Sequence, residues 1–430
     1  MSSFIQTSNQ HVGTPDEFSG TNKKLKVQIG YDTDIGGSTV NQDRLVVITL
    51  PEQEVSVIAV ADGHGYETGH FVAEITKNSL EKLIKNRIAD LLKDPLAFLE
   101  FCCDFLHEEI RKGLVEIMEK HGNKVKVDED GVISKRKHER QPWCVVKGGT
   151  TFSIVILIKN KLYIANLGDS TGLLCAKNPV LKPSNIRHEK DVATQAKNRD
   201  CESVDDDVPS THIEITSDNS VENVDEYIRI RDFKCSDDDP NKAELSFIYD
   251  RQNCPNKTMC EPVFDISSSG VPTRREEVNP FKCYYKNVRK EKASYVTDKF
   301  GQNYLAVTRV LGDFKLQTFG VTNKPVIRTI DLTPTFEENT RVDTSQCNDE
   351  ERKTVCVVLC SDGVWDNWIY DHVCKFVMDP SCLNAIVTDP ENGAKRVTKS
   401  FMDRNKMFAD RNFGKSSDNA TAIVMYITQE

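Results

Sequence analysis

Aspartates placed at the ends of apolar runs are the residues with chemistry to offer. Asp62 follows Val55–Ala61 in Asp62-Gly63-His64-Gly65, and Asp169 follows Leu162–Leu167 in Gly168-Asp169-Ser170. Asp362 follows Val355–Ser361 and precedes Gly363, Asp418 stands just before Ala420–Ile427, and Asp43 opens Leu45–Leu50. Alone, an Asp-Gly after a strand is a turn signal. Together, carboxylates that meet in one cleft repel one another unless a cation neutralises them. Hard oxygen donors of this kind suit magnesium or manganese. Glycine at 63 and 363 lets the backbone approach a ligand closely.

These aspartates need strands to carry them. Residues 45–50 and 55–61 read as two strands joined by a turn at Pro51–Glu54, and 151–158, 162–166 and 172–175 as a meander. Strands are also expected near 305–309, at 355–361 and at 421–428. Three-and-four spacing of Phe71, Ile75, Leu80, Leu83, Ile84, Ile88, Leu91 and Leu92 predicts a helix over 67–93. A second helix follows from Phe98 to Met118, and two helical patterns lie near 365–378 and 391–409. Residues 1–22 read as a flexible tail ahead of one unit over 23–430. Insertions are expected at 122–142, a surface loop or hairpin, and at 176–300, a long polar stretch or small subdomain. Hairpin-linked strands with paired helices give an α+β class rather than a doubly wound sheet.

The 430 residues are 38% hydrophobic and 28% charged, with a net charge of −10, which argues against a general nucleic-acid binder. No apolar run approaches the ~20 residues of a membrane span. Met1–Phe18 lacks the features of a secretory signal, so a cytoplasmic or nuclear setting and reduced thiols are expected for the 14 cysteines. No Cys-x-x-Cys, GxxxxGK[ST], HExxH or GxSxG motif occurs. Cys283 and Arg289 have the spacing of thiol phosphatases but lack a glycine-rich phosphate loop.

Six segments in order resemble the motifs of metal-dependent Ser/Thr protein phosphatases of type 2C: Ala59–Gly65, Gly149–Thr151, Leu162–Ser170, Leu305–Asp313, Ser361–Asp366 and Ser416–Thr421. The resemblance covers about residues 25–430. It implies a four-layer αββα sandwich: two antiparallel sheets flanked by helix pairs, with a long flap in 176–300. It implies hydrolysis of phosphoserine and phosphothreonine in protein substrates, with a water readied by two Mg2+ or Mn2+ ions and no phosphoenzyme; a monomer is expected. Carried onto this sequence, Asp62 bridges both ions, the Gly63 carbonyl binds the second, and Asp362 and Asp418 bind the first. Asp169 matches a looser third site shared with Asp362, and His64 matches the general acid. Gln42-Asp43 stands where the family has Glu-Asp or Gln-Asp. Gln42 can still accept a hydrogen bond from a metal-bound water, and Asp43 completes the acidic set.

Three positions depart from the family pattern. Ser38 replaces an arginine that grips phosphate bidentately, so phosphate binding weakens unless Arg44 or another cation reaches the site. Tyr66 replaces a glycine, and Thr171 an arginine. A catalytically weak binding module on the same fold is the alternative reading.

Overall fold

The apolar runs form strands with both faces covered, so successive residues point into different cores. In Val55–His64, Val57 and Ala59 face one core, and Ile58 and Val60 face another. Thr354–Cys360 alternates likewise, with Cys356 and Val358 on one side and Val355 and Val357 on the other. A strand buried on both sides reads as a continuous apolar run, because its period of two divides two apolar sets. The structure, a computed structural model, describes residues 24–191, 208–217, 219–233, 245–251, 254, 259–276, 283–298, 301–341 and 353–430. Residues 1–22, Asp218 and Asp237–Asp239 lie outside that set.

Two antiparallel sheets face each other. One has five strands in the order Leu25–Asp34, Ala420–Gln429, Thr354–Cys360, Thr171–Ala176 and His212–Glu214. The other runs Ile186–Asp191, Val326–Asp331, Lys161–Leu167, Phe152–Ile158, Val55–His64, Gly149–Thr150 and Leu311–Gly312. Asp43–Leu50 also pairs with Val55–His64. Between the sheets lies a core that includes Ile58, Val155, Ile164, Val357 and Met425. Each fully buried side chain of this kind contributes about 1.5–3 kcal/mol.

Helices Gly69–Asn86 and Pro95–Lys120 cover one outer face through Leu80, Leu83, Leu99, Leu106 and Ile110. The expected single helix over 67–93 breaks at Arg87, and a short helix, Ile88–Lys93, follows. Pro95 opens the next helix rather than only closing the last. Asp94 caps it, accepting from the Ala97 N–H at 3.0 Å. The other face carries three helices instead of two: Tyr370–Val377, Pro380–Thr388 and Gly393–Asn412. Pro380 restarts the chain as a first-turn residue capped by Asp379, so the additional helix falls between the two expected patterns.

Residues 124–145 form a three-stranded antiparallel sheet. The described part of 176–300 packs into a small apolar core, in which Ile230 of helix Val224–Arg231 meets Phe247, Phe264 and Val296 together with Leu305, Val307 and Leu316 of the segment that follows. Its described residues are therefore packed rather than an open loop.

Candidate active site

The strand ends converge at one edge of the sandwich. Asp43 and Asp62 are directly opposed partners in the register of their hairpin. Like charges opposed across a ladder destabilise it, and here the sheet carries two of them. Gly63 pairs with Thr150 and His64 with Gly149, so the strand continues past Asp62 and delivers the histidine to the same edge. From the facing sheet come Asp362, the first residue of a short helix after Thr354–Cys360, and Asp418, just ahead of Ala420–Gln429. Asp169 arrives from the turn between Lys161–Leu167 and Thr171–Ala176. A cleft of about 750 Å³ is lined by Gln42, Asp62, Gly63, His64, Asp169, Asp362 and Asp418 together. Asp43 lies beneath it, 3% exposed.

The electrostatics are one-sided. Burial raises Asp62 well above an ordinary carboxyl, and Asp43, Asp362 and Asp418 push it further. Burial likewise raises Asp362, with Asp169, Asp418 and Asp366 adding to the effect. The Asp43 carboxyl is pushed up to about 6 by burial, against hydrogen bonds from Ser361 and Thr421. Ser361 Oγ donates to Asp43 Oδ2 at 2.7 Å, while Asp43 Oδ1 and Asp362 Oδ1 are buried without a partner. An unpaired buried carboxylate oxygen is costly. Among the described residues, no three His, Cys, Asp or Glu side chains are already gathered as a finished metal site. The donor set nevertheless fits hard divalent cations: all are oxygens, two are orphaned, and the carboxylates repel one another in the way a cation would relieve.

His64 has its own partner. Its Nε2 lies 2.5 Å from Asp313 Oδ2. Burial opposes the imidazolium, but Asp313 by charge and hydrogen bond, and Asp169 by charge, hold its pKa above the usual histidine value. Glycine at 149 makes this contact feasible, because a Cβ there would stand 2.4 Å from Asp313 Oδ2 and 3.1 Å from His64 Nε2. Asp313 adopts a left-handed backbone (φ 43°) at the head of helix Phe314–Gln317, and its Oδ1 accepts from the Gly148 N–H at 3.3 Å. The sequence reading assigned Asp313 no role. The available signal was a Gly-Asp pair, Gly312-Asp313, of the same kind as Gly168-Asp169.

The remaining expected residues fall as follows. Gln42 is fixed by its amide nitrogen, which donates to the Gly65 carbonyl at 3.1 Å. Ser38 is exposed in a turn, bonded through its N–H to the Ile35 carbonyl. Arg44 does not replace the missing arginine. Its guanidinium is held by Glu74 and by the carbonyls of Asn41 and Asp43. Tyr66 is fully exposed and lines the cleft, as does the half-exposed Tyr304. The Cys283 thiol is pushed up to about 11 by burial, which removes the thiolate a cysteine phosphatase needs.

The family model for protein phosphatase 2C matches residues 37–194 and 288–407. These spans make up more than half of the chain, and the chain belongs to the protein phosphatase 2C family. Among curated proteins it is similar to "Probable protein phosphatase 2C 2" of Paramecium tetraurelia, 28% identical over 127 residues, which is 29% of this chain and 36% of that protein. "Protein phosphatase 2C 1" of the same organism is 28% identical over 132 residues, with the same coverage. The match thus spans about a third of the length of these relatives. A serine-threonine phosphatase 2C from Toxoplasma gondii superposes with a TM-score of 0.49 at 15% identity, covering 94% of this chain and 95% of that one. A C. elegans sex determining protein does so with a TM-score of 0.47 at 16% identity, covering 93% and 65%. Among the described residues, no helix is long and apolar enough to cross a membrane.

Proposed function

We propose that the chain hydrolyses phosphoserine and phosphothreonine in protein substrates, using two divalent cations held by Asp62, Asp362 and Asp418. The Gly63 carbonyl, Asp43 and Gln42 support this set from the same edge. The single observation that carries the reading is the gathering of Asp62, Asp362, Asp418 and His64 around one cleft from three separate chain segments. When bound, magnesium or manganese would acidify a water for attack on phosphorus and offset the phosphoryl charge. The chain's own groups do the rest. Asp62 sits centrally, and Asp43 behind it is anchored by Ser361. The His64 imidazolium, kept charged by Asp313, gives a proton to the departing serine or threonine oxygen. That proton transfer needs no covalent enzyme intermediate, in keeping with the raised Cys283 thiol.

Ser38 favours a second reading, a binding module with little turnover, because Arg44 leaves the phosphate-gripping position without its guanidinium. Hydrolysis of a phosphothreonine peptide in Mn2+ decides between them, compared with chelator and with Asp62→Ala. The enzyme reading expects metal-dependent phosphate release that falls by at least about a thousandfold in the variant, about 4 kcal/mol of barrier. Wild-type protein as inactive as Asp62→Ala would establish the module.

A further inference from the structure

Lys286 brings a cation to the acidic edge from within the chain. Its Nζ lies 3.7 Å from Asp169 Oδ2, and it shares a second cavity of about 460 Å³ with Asp169, Asp362 and Asp366. That cavity adjoins the main cleft, since Asp169, Ala306 and Asp362 line both. Lys286 itself does not line the main cleft. It therefore faces the outer carboxylates rather than the space between Asp62 and His64, where a phosphate would sit.

Surface lysines usually hold such pairs loosely, but Lys286 is built into place. It opens a tight turn in which its N–H bonds to the Glu291 carbonyl at 2.8 Å and Lys290 takes a left-handed backbone at φ 62°. Asn287 locks the turn to Glu291 through side chain and backbone. The turn is docked on the segment that follows Asp362: the Val288 N–H donates to the Asp366 carbonyl at 3.0 Å, and Arg289 donates to the carbonyls of Trp365 and Trp368. Thus the loop carrying the ammonium is hydrogen-bonded directly to the segment that begins with Asp362. Lys286 also lies outside the two spans that match the family model, within this chain's own insertion.

We propose that the Lys286 ammonium serves as a tethered cation at the Asp169–Asp362 position, occupying the place of a third, exchangeable divalent ion. This rests on the metal-dependent reading above. A fixed single charge there would neutralise Asp169 without competing for Asp62, leaving the inner carboxylates to the two exchangeable ions.

The test counts Mn2+ bound to the full chain by electron paramagnetic resonance titration, with unfolding temperature as the check on folding. Lys286→Ala is expected to bind one more Mn2+ per chain than wild type. Lys286→Arg, which keeps the charge, is expected to bind the wild-type number, and adding Asp169→Asn to Lys286→Ala should abolish the extra ion. Equal Mn2+ counts in wild type and Lys286→Ala would overturn the proposal while leaving the two-ion site standing. A raised KM with no change in Mn2+ count would also overturn it, placing Lys286 on the substrate phosphate instead. Wild-type protein that binds no Mn2+ would overturn the metal reading, and this proposal with it.

Discussion

Two groups of charges lie inside this molecule, and they are balanced differently. Around Arg309, 1% exposed, the guanidinium is shared between Glu226 and Asp191, and Glu226 is shared in turn between Arg309 and Arg229. Burial alone would raise Glu226, but the two arginines hold it down to about 2. Around Asp62 the neighbours are Asp43, Asp362 and Asp418, and every shift runs the other way. The first group supplies its own counter-charges and ties the Leu305–Asp313 segment to helix Val224–Arg231. The second has too few. Acids without partners stay in a fold when something outside the chain completes them, which distinguishes a structural network from a functional site even though both are rich in carboxylates.

Substitution should separate the two groups most sharply. Arg309→Leu leaves Glu226 with half its support and is expected to cost about 3 kcal/mol of stability, read from chemical denaturation. Asp62→Asn in metal-free protein is expected to leave stability unchanged or higher, because it removes repulsion. Equal losses in both would erase the distinction between the groups. His64→Gln is next in size: about a hundredfold loss on a phosphothreonine peptide, with much less on an activated aryl phosphate whose leaving group needs no proton. Equal loss on both substrates would remove the general-acid role. Asp313→Asn should shift the alkaline limb of the peptide activity to lower pH, because Asp313 holds the imidazolium together. An unmoved limb would make Asp313 a purely structural residue.

The smallest effect is on stability against pH. Asp43 and Asp366, held up to about 6 and about 7, bind more protons folded than unfolded above their ordinary 3.8. They therefore subtract stability from metal-free protein as pH rises from about 4 to about 7. Glu226 acts oppositely. It adds stability above its ordinary 4.5 that is lost as pH falls toward about 2. Replacing Asp43 with Asn should flatten the first slope and leave the second, as measured by denaturant midpoints across pH.

Much of this was legible in the chain itself, because strand ends are local signals. Most of the apolar runs marked strands, although the one expected near 305–309 is a strand only at Tyr304–Leu305. Four of the five aspartates at strand ends line the cleft, with Asp43 buried beneath it. The Asp43–Asp62 opposition follows from a single hairpin. The missed features are those set by distant packing. Asp313 meets His64 across 249 residues, and only the close approach at Gly149 permits it. In the sequence Lys286 is one of several basic residues between 286 and 292 with nothing local to single it out, and its aim depends on docking of its turn against Trp365 and Trp368. The helix break at Arg87 was hidden because apolar spacing persists through it, and the extra helix from Pro380 was missed because its nine residues lie between the two longer patterns.

The central claim is that the acidic edge is incomplete until divalent cations enter it. Unfolding of the full chain with and without Mn2+, in wild type and Asp62→Asn, tests it most directly. At a hundredfold excess over the dissociation constant, wild type should gain about 2.7 kcal/mol for each ion that binds only the folded state, seen as a higher unfolding midpoint, and Asp62→Asn should gain far less. A wild-type midpoint that ignores Mn2+, or an equal rise in the variant, would contradict the account.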